Sequence, residues 1–110
     1  MTRIWAELRG PEFAGLDPAS IAILPIGSAE QHGPHLPLNT DFVVADSLAG
    51  DVVAAHGPSL GLYLLPSMAV SKSNEHAWSP GTLRPRSTLR PGLIRLLSAV
   101  REQGGLALPL

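Results

Sequence analysis

The sequence contains no cysteine among its 110 residues. Disulfide bonds, thiolate metal ligands and cysteine nucleophiles are therefore excluded, and any metal ion must be held by nitrogen and oxygen atoms. Aromatic residues are scarce, at 5%, and charged residues make up only 15% of the chain. The formal net charge is −1, from 8 basic and 9 acidic residues, so the chain has no basic excess for binding nucleic acid.

Long hydrophobic runs are also absent. No stretch is long enough to span a bilayer, and the first residues lack the apolar core of a secretory signal, so we expect a cytoplasmic protein without a membrane partner. Hydrophobic residues nevertheless reach 45%, and Gly and Pro contribute 11 residues each. This composition indicates a single globular domain with many fixed turns.

Short apolar runs at 20–27 and 61–68 predict buried strands, and residues 105–110 predict a third. Helices are expected to alternate with these strands over residues 41–56 and 88–103. The order predicts an α/β fold with a parallel sheet.

The first predicted helix has recognisable end signals. Thr40 is expected to cap it, and Gly57-Pro58 is expected to stop it. Apolar residues at spacings of three and four predict its buried face, namely Val44, Leu48, Val52 and Ala55. The same pattern in the second helix marks Leu89, Leu93, Leu96, Leu97 and Val100.

Two long loops leave the carboxyl ends of the predicted strands, at 27–40 and 67–87. Open α/β sheets bind their ligands at such ends, and long irregular loops are often functional. We therefore expect the functional residues in these two loops.

The stretch EQHGPHLPLNTD, residues 30–41, concentrates metal-competent side chains. Glu30 and His32 are two residues apart, so an extended backbone directs both to the same side. Asp41 lies at the start of the following helix, and its two carboxylate oxygens could bridge two ions. Carboxylate and imidazole ligands suit Zn²⁺ or Mn²⁺. A solvated surface pair is the alternative on spacing alone.

The second loop contains SNEHAWSPGT, residues 73–82, which is polar and aromatic at once. His76 is expected to line a substrate pocket and Trp78 to form an apolar wall, the alternative being an ordered surface loop. Ser28 and Ser71 have no evident base partner, which argues against a serine triad.

The segments LPIGSAEQHGPHLPLNTD (24–41) and PSMAVSKSNEHAWSPGTL (66–83) resemble those of the creatininase family. The resemblance implies a layered α/β/α fold and a metal-dependent hydrolase of C–N bonds in cyclic amides, formamides or peptides. It also implies assembly into homo-oligomers, often hexamers.

By the same resemblance, Glu30 would bind one ion, His32 the other, and Asp41 would bridge the two. A metal-activated water would be the nucleophile, so no catalytic side chain is assigned in this chain. The cofactor would be Zn²⁺ or Mn²⁺, paired in the full-length family.

Family members are longer, and a later Asn-Gly-His segment supplies them with further ligands. We therefore expect residues 1–110 to form one partial domain whose sheet is incomplete at its carboxyl end. Whether the chain is itself an enzyme stays open. The alternative is a non-catalytic remnant that binds metal weakly or pairs with full-length homologues, and a third reading is an unrelated small binding domain.

Overall fold

The structure, a computed structural model, describes residues 2–71, 79–83 and 89–104. At its centre, strand β1 (Ile21–Ile23) pairs in parallel with strand β2 (Leu62–Leu64). Helix α1 (Thr40–Leu60) connects the two strands, and helix α2 (Leu89–Gly104) follows. The predicted α/β class with parallel strands is therefore confirmed.

The pairing continues beyond the regular strands. Ile26 forms a parallel bridge with Met68, and the amide of Gly27 donates to the carbonyl of Met68 at 2.8 Å. On the other edge of β2, Ile4 forms a parallel bridge with Leu64. The sheet therefore extends through most of the two apolar runs that predicted it. The predicted strand at 105–110 lies outside the described residues.

Helix α1 is longer than its sequence signals predict. It continues through Pro58 and ends at Gly61, whose φ of 68° lies in the left-handed region and whose amide bonds to the carbonyl of Gly57. The prediction that Gly57-Pro58 stops the helix is wrong, because a proline in the last turn removes only one hydrogen bond. A glycine in the left-handed conformation is the usual helix terminus.

The start of helix α1 is also one residue earlier than predicted. Asn39 is the N-cap residue, and Thr40 is the first helical residue. The Thr40 hydroxyl donates to the carbonyl of Pro37 at 2.7 Å, so it fixes the preceding turn and does not cap the helix.

The predicted apolar face of helix α1 points outward. Val44 is 60% exposed and Leu48 is 63% exposed, and Val52 and Ala55 are exposed as well. The buried residues of the helix are Val53 and Gly57. Gly57 lies against the side chain of Arg3, where a Cβ would be 3.1 Å from Arg3 Cγ. The carbonyl oxygen of Leu62 would be 3.4 Å from the same Cβ, so the inner face is marked by a small residue, which a search for large apolar residues does not detect.

Helix α2 begins and ends within one residue of its prediction. Val100, from the predicted stripe, is buried against Leu65, with Trp5, Ala22 and Leu24 around it. Leu96 is 42% exposed, so only part of that stripe is covered.

The first residues pack on the sheet through aromatic contacts. Short 3-10 turns at Trp5–Glu7 and Gly10–Gly15 place the Trp5 ring 4.9 Å from that of Phe13 and 6.5 Å from that of Tyr63. Within the described ranges, neither helix combines the length and hydrophobicity of a bilayer span.

Candidate metal centre

The loop between β1 and α1 is folded back on itself. The amide of Glu30 donates to the carbonyl of Leu38 at 3.2 Å, and His32 forms a bridge with Leu36. Gly33 lies in the turn that joins His32 to Leu36. Its φ of 78° is in a region where residues with a Cβ are disfavoured. The loop that carries Glu30 and His32 is therefore held in a fixed shape by its own backbone.

A second contact fixes the base of this loop. The amide of Leu83 donates to the carbonyl of Ala29 at 2.8 Å, within an antiparallel bridge between these residues. Leu83, in the described part 79–83 of the second long loop, thus lies beside the residue that precedes Glu30.

Glu30, His32 and Asp41 converge at the first turn of helix α1. One ligand atom from each residue lies within 4.8 Å of the others. His32 Nε2 is 3.2 Å from Asp41 Oδ1, close to the roughly 3.4 Å expected between two ligands of one tetrahedral zinc ion. The structure therefore brings together the three residues that the sequence predicts as metal ligands.

The ring of His32 is oriented by a backbone group. Nδ1 lies 3.2 Å from the carbonyl oxygen of Glu30, so Nδ1–H can donate to it and leave Nε2 facing Asp41. This carbonyl is the main cause that raises the pKa of His32 above its ordinary 6.5, and the Asp41 carboxylate adds to it. The same hydrogen bond favours the neutral tautomer whose free Nε2 can bind a metal ion.

The carboxylate of Asp41 is held by a serine. Ser28 Oγ donates to Asp41 Oδ2 at 2.6 Å, and this bond is the largest cause that lowers the pKa of Asp41 below 3.8. The nearby His32 ring lowers this pKa further. Asp41 is therefore ionised at neutral pH, as a metal ligand must be.

Glu30 contributes an unsatisfied oxygen. Its Oε2 is buried and has no hydrogen-bond partner among the described residues. A carboxylate oxygen without a partner is costly to bury, and a cation at this position would remove that cost. Two carboxylates and one imidazole form a donor set that suits Zn²⁺ or Mn²⁺, so these residues fit a divalent ion.

The other residues considered in the sequence are two predicted substrate contacts and two serines. His76 and Trp78, predicted to contact substrate, lie outside the described residues. Ser28 donates to the Asp41 carboxylate, and Ser71 donates to the carbonyl of Gly27, so among the described residues neither hydroxyl bonds to an imidazole as in a serine triad. Sequence reasoning considered Ser28 only as a nucleophile and missed its contact with Asp41. Its position two residues before Glu30 was the available signal.

Fold and site together define an α/β protein with a carboxylate–imidazole cluster in the loop after a parallel strand. The family model described as "Creatininase: Creatinine amidohydrolase" matches residues 6–106. The chain belongs to the creatininase family.

Curated relatives are similar to part of the chain. A mycofactocin precursor peptide peptidase of Mycolicibacterium smegmatis is 43% identical over 65 residues, which cover 57% of this chain and 26% of the relative. The protein of the same description from Mycobacterium tuberculosis is 40% identical over 67 residues, or 56% of this chain and 27% of the relative. The match thus spans about a quarter of these relatives' length.

Solved creatininase structures share the fold. One described as "Creatininase Mn" superposes with a TM-score of 0.81 at 21% identity, covering 94% of this chain and 42% of that one. A mutant creatininase of "Zn-Zn type" gives 0.71 at 23% identity, with the same coverage of 94% and 42%. The layered creatininase fold predicted from the sequence is therefore confirmed for the part of it that this chain spans.

Proposed function

We propose that Glu30, His32 and Asp41 are metal ligands in a metal-dependent hydrolase that cleaves C–N bonds of amides. The observation that carries the proposal is the convergence of three ligand atoms within 4.8 Å. The buried Oε2 of Glu30, which has no hydrogen-bond partner in the described ranges, supports it independently. Structural neighbours described as Mn and Zn-Zn forms agree with a divalent cofactor, and either Zn²⁺ or Mn²⁺ suits the donor set.

Each residue has a distinct role in this proposal. Glu30 would hold one ion of a pair and His32 the other, and Asp41 would be a ligand to both. His32 is kept in orientation by the carbonyl of Glu30, and Asp41 is kept ionised by Ser28 and His32. Bound divalent ions would supply Lewis-acid polarisation of an amide carbonyl and a water of lowered pKa.

A peptide is the favoured substrate class. The curated relatives at 40–43% identity are peptidases, whereas the solved creatininases are 21–23% identical. His76 and Trp78, which lie in the second loop, stay predicted contacts for such a substrate. A small cyclic amide is the competing substrate.

Calorimetric titration of Zn²⁺ and of Mn²⁺ into the purified chain tests the metal role. We expect specific binding that His32→Ala abolishes. His56→Ala is the matched control, because His56 is exposed near the far end of helix α1 and should leave binding unchanged. Equal binding by the His32→Ala variant would refute the assignment.

A hydrolysis assay tests the activity. The chain is incubated with a model peptide and with creatinine, before and after removal of metal with a chelator. We expect peptide cleavage that is lost with the metal and restored by adding Zn²⁺ or Mn²⁺. Cleavage that survives complete metal removal would contradict the proposal.

A non-catalytic chain that binds metal weakly or pairs with full-length homologues is the second candidate. The outward apolar residues of helix α1, Val44 and Leu48, favour it. Mixing the chain with a full-length homologue and measuring mass by light scattering tests this pairing. Metal-dependent hydrolysis by the isolated chain would count against this candidate.

A further inference from the structure

The two oxygens of the Asp41 carboxylate have different partners. Oδ2 accepts a hydrogen bond of 2.6 Å from Ser28, whereas Oδ1 faces His32 Nε2 at 3.2 Å. Ser28 is only 6% exposed, so water competes little with Asp41 for its hydroxyl group. The carboxylate therefore cannot rotate about its Cβ–Cγ bond without breaking the contact with Ser28.

The position of Ser28 is imposed by its neighbour Gly27. A Cβ at residue 27 would lie 2.4 Å from Phe42 Cα and 2.6 Å from Phe42 N, both in the first turn of helix α1. Any residue other than glycine would push the loop away from the helix. This close approach is what brings the Ser28 hydroxyl within hydrogen-bond distance of Asp41.

The Gly27 peptide groups are also tied to the segment after β2. The amide of Gly27 donates to the carbonyl of Met68 at 2.8 Å, and Ser71 Oγ donates to the carbonyl of Gly27. The backbone that carries Ser28 is thus held by the sheet on one side and by helix α1 on the other. The hydroxyl group of Ser28 is therefore a donor in a fixed position, unlike the hydroxyl group of an exposed surface serine.

We propose that Ser28 is a positioning residue that sets the rotation of the Asp41 carboxylate for metal binding. The inference rests on the proposed metal function. With Oδ2 bonded to Ser28, Oδ1 stays beside His32 Nε2, where both atoms would be available to a divalent ion. A carboxylate oxygen has two lone-pair sites, so the bond to Ser28 would leave Oδ2 able to act as a ligand as well.

Metal titration of four chains tests the role: the unsubstituted chain, Ser28→Ala, Ser28→Thr and Ser67→Ala. Loss of a residue that orients a ligand typically weakens metal binding about 10- to 100-fold, and we expect this for Ser28→Ala with Zn²⁺. Ser28→Thr keeps the hydroxyl and should bind within about threefold of the unsubstituted chain. Ser67→Ala, the matched control, removes a serine–aspartate bond of 2.7 Å from the same helix and should change nothing.

The order of the variants separates positioning from packing. Because Ser28 is buried, a packing role would make the larger threonine worse than alanine, whereas a positioning role makes it better. Circular dichroism checks folding, and Ser28→Gly serves as the second variant without a donor if Ser28→Ala is unfolded. If Ser28→Ala or Ser28→Gly folds and keeps the metal affinity of the unsubstituted chain, the positioning role of Ser28 is wrong, whereas the proposed metal function stands. Failure of the unsubstituted chain to bind any metal overturns the proposed function and this inference with it.

Discussion

Helix α1 carries two aspartates that each accept a hydrogen bond from a serine in a loop that follows a strand. Ser28 donates to Asp41 at 2.6 Å, and Ser67 donates to Asp46 at 2.7 Å. The chemistry of the two pairs is the same, but within the part of the chain that the structure describes, only Asp41 has an imidazole and a second carboxylate within reach. A serine–aspartate bond therefore does not make a site by itself. Convergence of further ligand atoms does, and that depends on the loop at 27–40.

The largest difference between the two pairs should appear on removing each carboxylate. Asp41→Ala removes the proposed shared ligand and should weaken Zn²⁺ binding by about 100-fold or more. Asp46→Ala removes an equal charge from the same helix and should leave the affinity within about twofold. Calorimetric titration of both variants measures this, and a similar loss in both would show that helix charge, and not ligation, drives binding.

Gly27→Ala tests how the first pair is assembled. The new methyl group would overlap the backbone of Phe42, so we expect a loss of about 1–3 kcal/mol in the free energy of unfolding. Metal affinity should fall as well, because Ser28 would be displaced from Asp41. Gly50→Ala is the control, since nothing lies within 4 Å of its Cβ and alanine favours a helix by about 0.5–1 kcal/mol. Denaturant unfolding that shows no loss for Gly27→Ala would contradict the close packing.

Metal binding should depend on pH through His32, which lies beside Asp41 of the first pair. The second pair should not contribute to this dependence. A metal ion needs the neutral ring of His32, and the Glu30 carbonyl raises the pKa of this ring above 6.5. As the pH falls through that raised pKa, a proton occupies Nε2, and affinity should drop by about tenfold per pH unit below it. Titrations between pH 8 and pH 5.5 measure this, with His56→Ala as control. A flat profile would exclude His32 as a ligand.

In the metal-free chain, protonation of His32 should stabilise the fold, whereas it should weaken metal binding. A raised pKa means that charged His32, beside Asp41, stabilises the fold below the ordinary pKa of 6.5, and this contribution disappears as the pH rises through the raised value. The pKa of Asp41 is lowered, so its contribution is present above 3.8 and disappears as the pH falls through the lowered value.

The smallest effect is expected on the outward side of helix α1. Leu48 is 63% exposed, so Leu48→Gln should change the free energy of unfolding by no more than about 0.5 kcal/mol. Val53→Ala on the inner side, where Val53 is 4% exposed, should cost about 1 kcal/mol or more. Thermal unfolding of the two variants measures the contrast. A larger loss for Leu48→Gln would mean that this face is covered in solution.

Much of the candidate site was predictable because its three residues are close in sequence. Glu30 and His32 share one short loop, and Asp41 follows at the start of a helix, so local geometry brings them together. The strands were predictable because their apolar runs have clear ends. The contact between Ser28 and Asp41 was not, because it depends on how closely Gly27 approaches Phe42, which only tertiary packing determines.

The inner face of helix α1 was not predictable for a related reason. Large apolar residues mark Val44 and Leu48, but packing on the sheet selected Val53 and Gly57. Small residues allow two backbones to approach, and they give a weak signal in a hydrophobic pattern. Packing against the sheet, and not the size of the apolar side chains, decided which face of helix α1 is buried.

The parallel pairing of β1 and β2 has a consequence for the order of events during folding. Ile21 meets Leu62 only after the whole of helix α1 has been enclosed in the connecting loop, so the first contact between the strands is distant in sequence. Such closure is slow compared with the formation of the helix itself. Gly27 can bond to Met68 and Ser71 only after that closure, so we expect the backbone that carries Ser28 to become fixed late in folding.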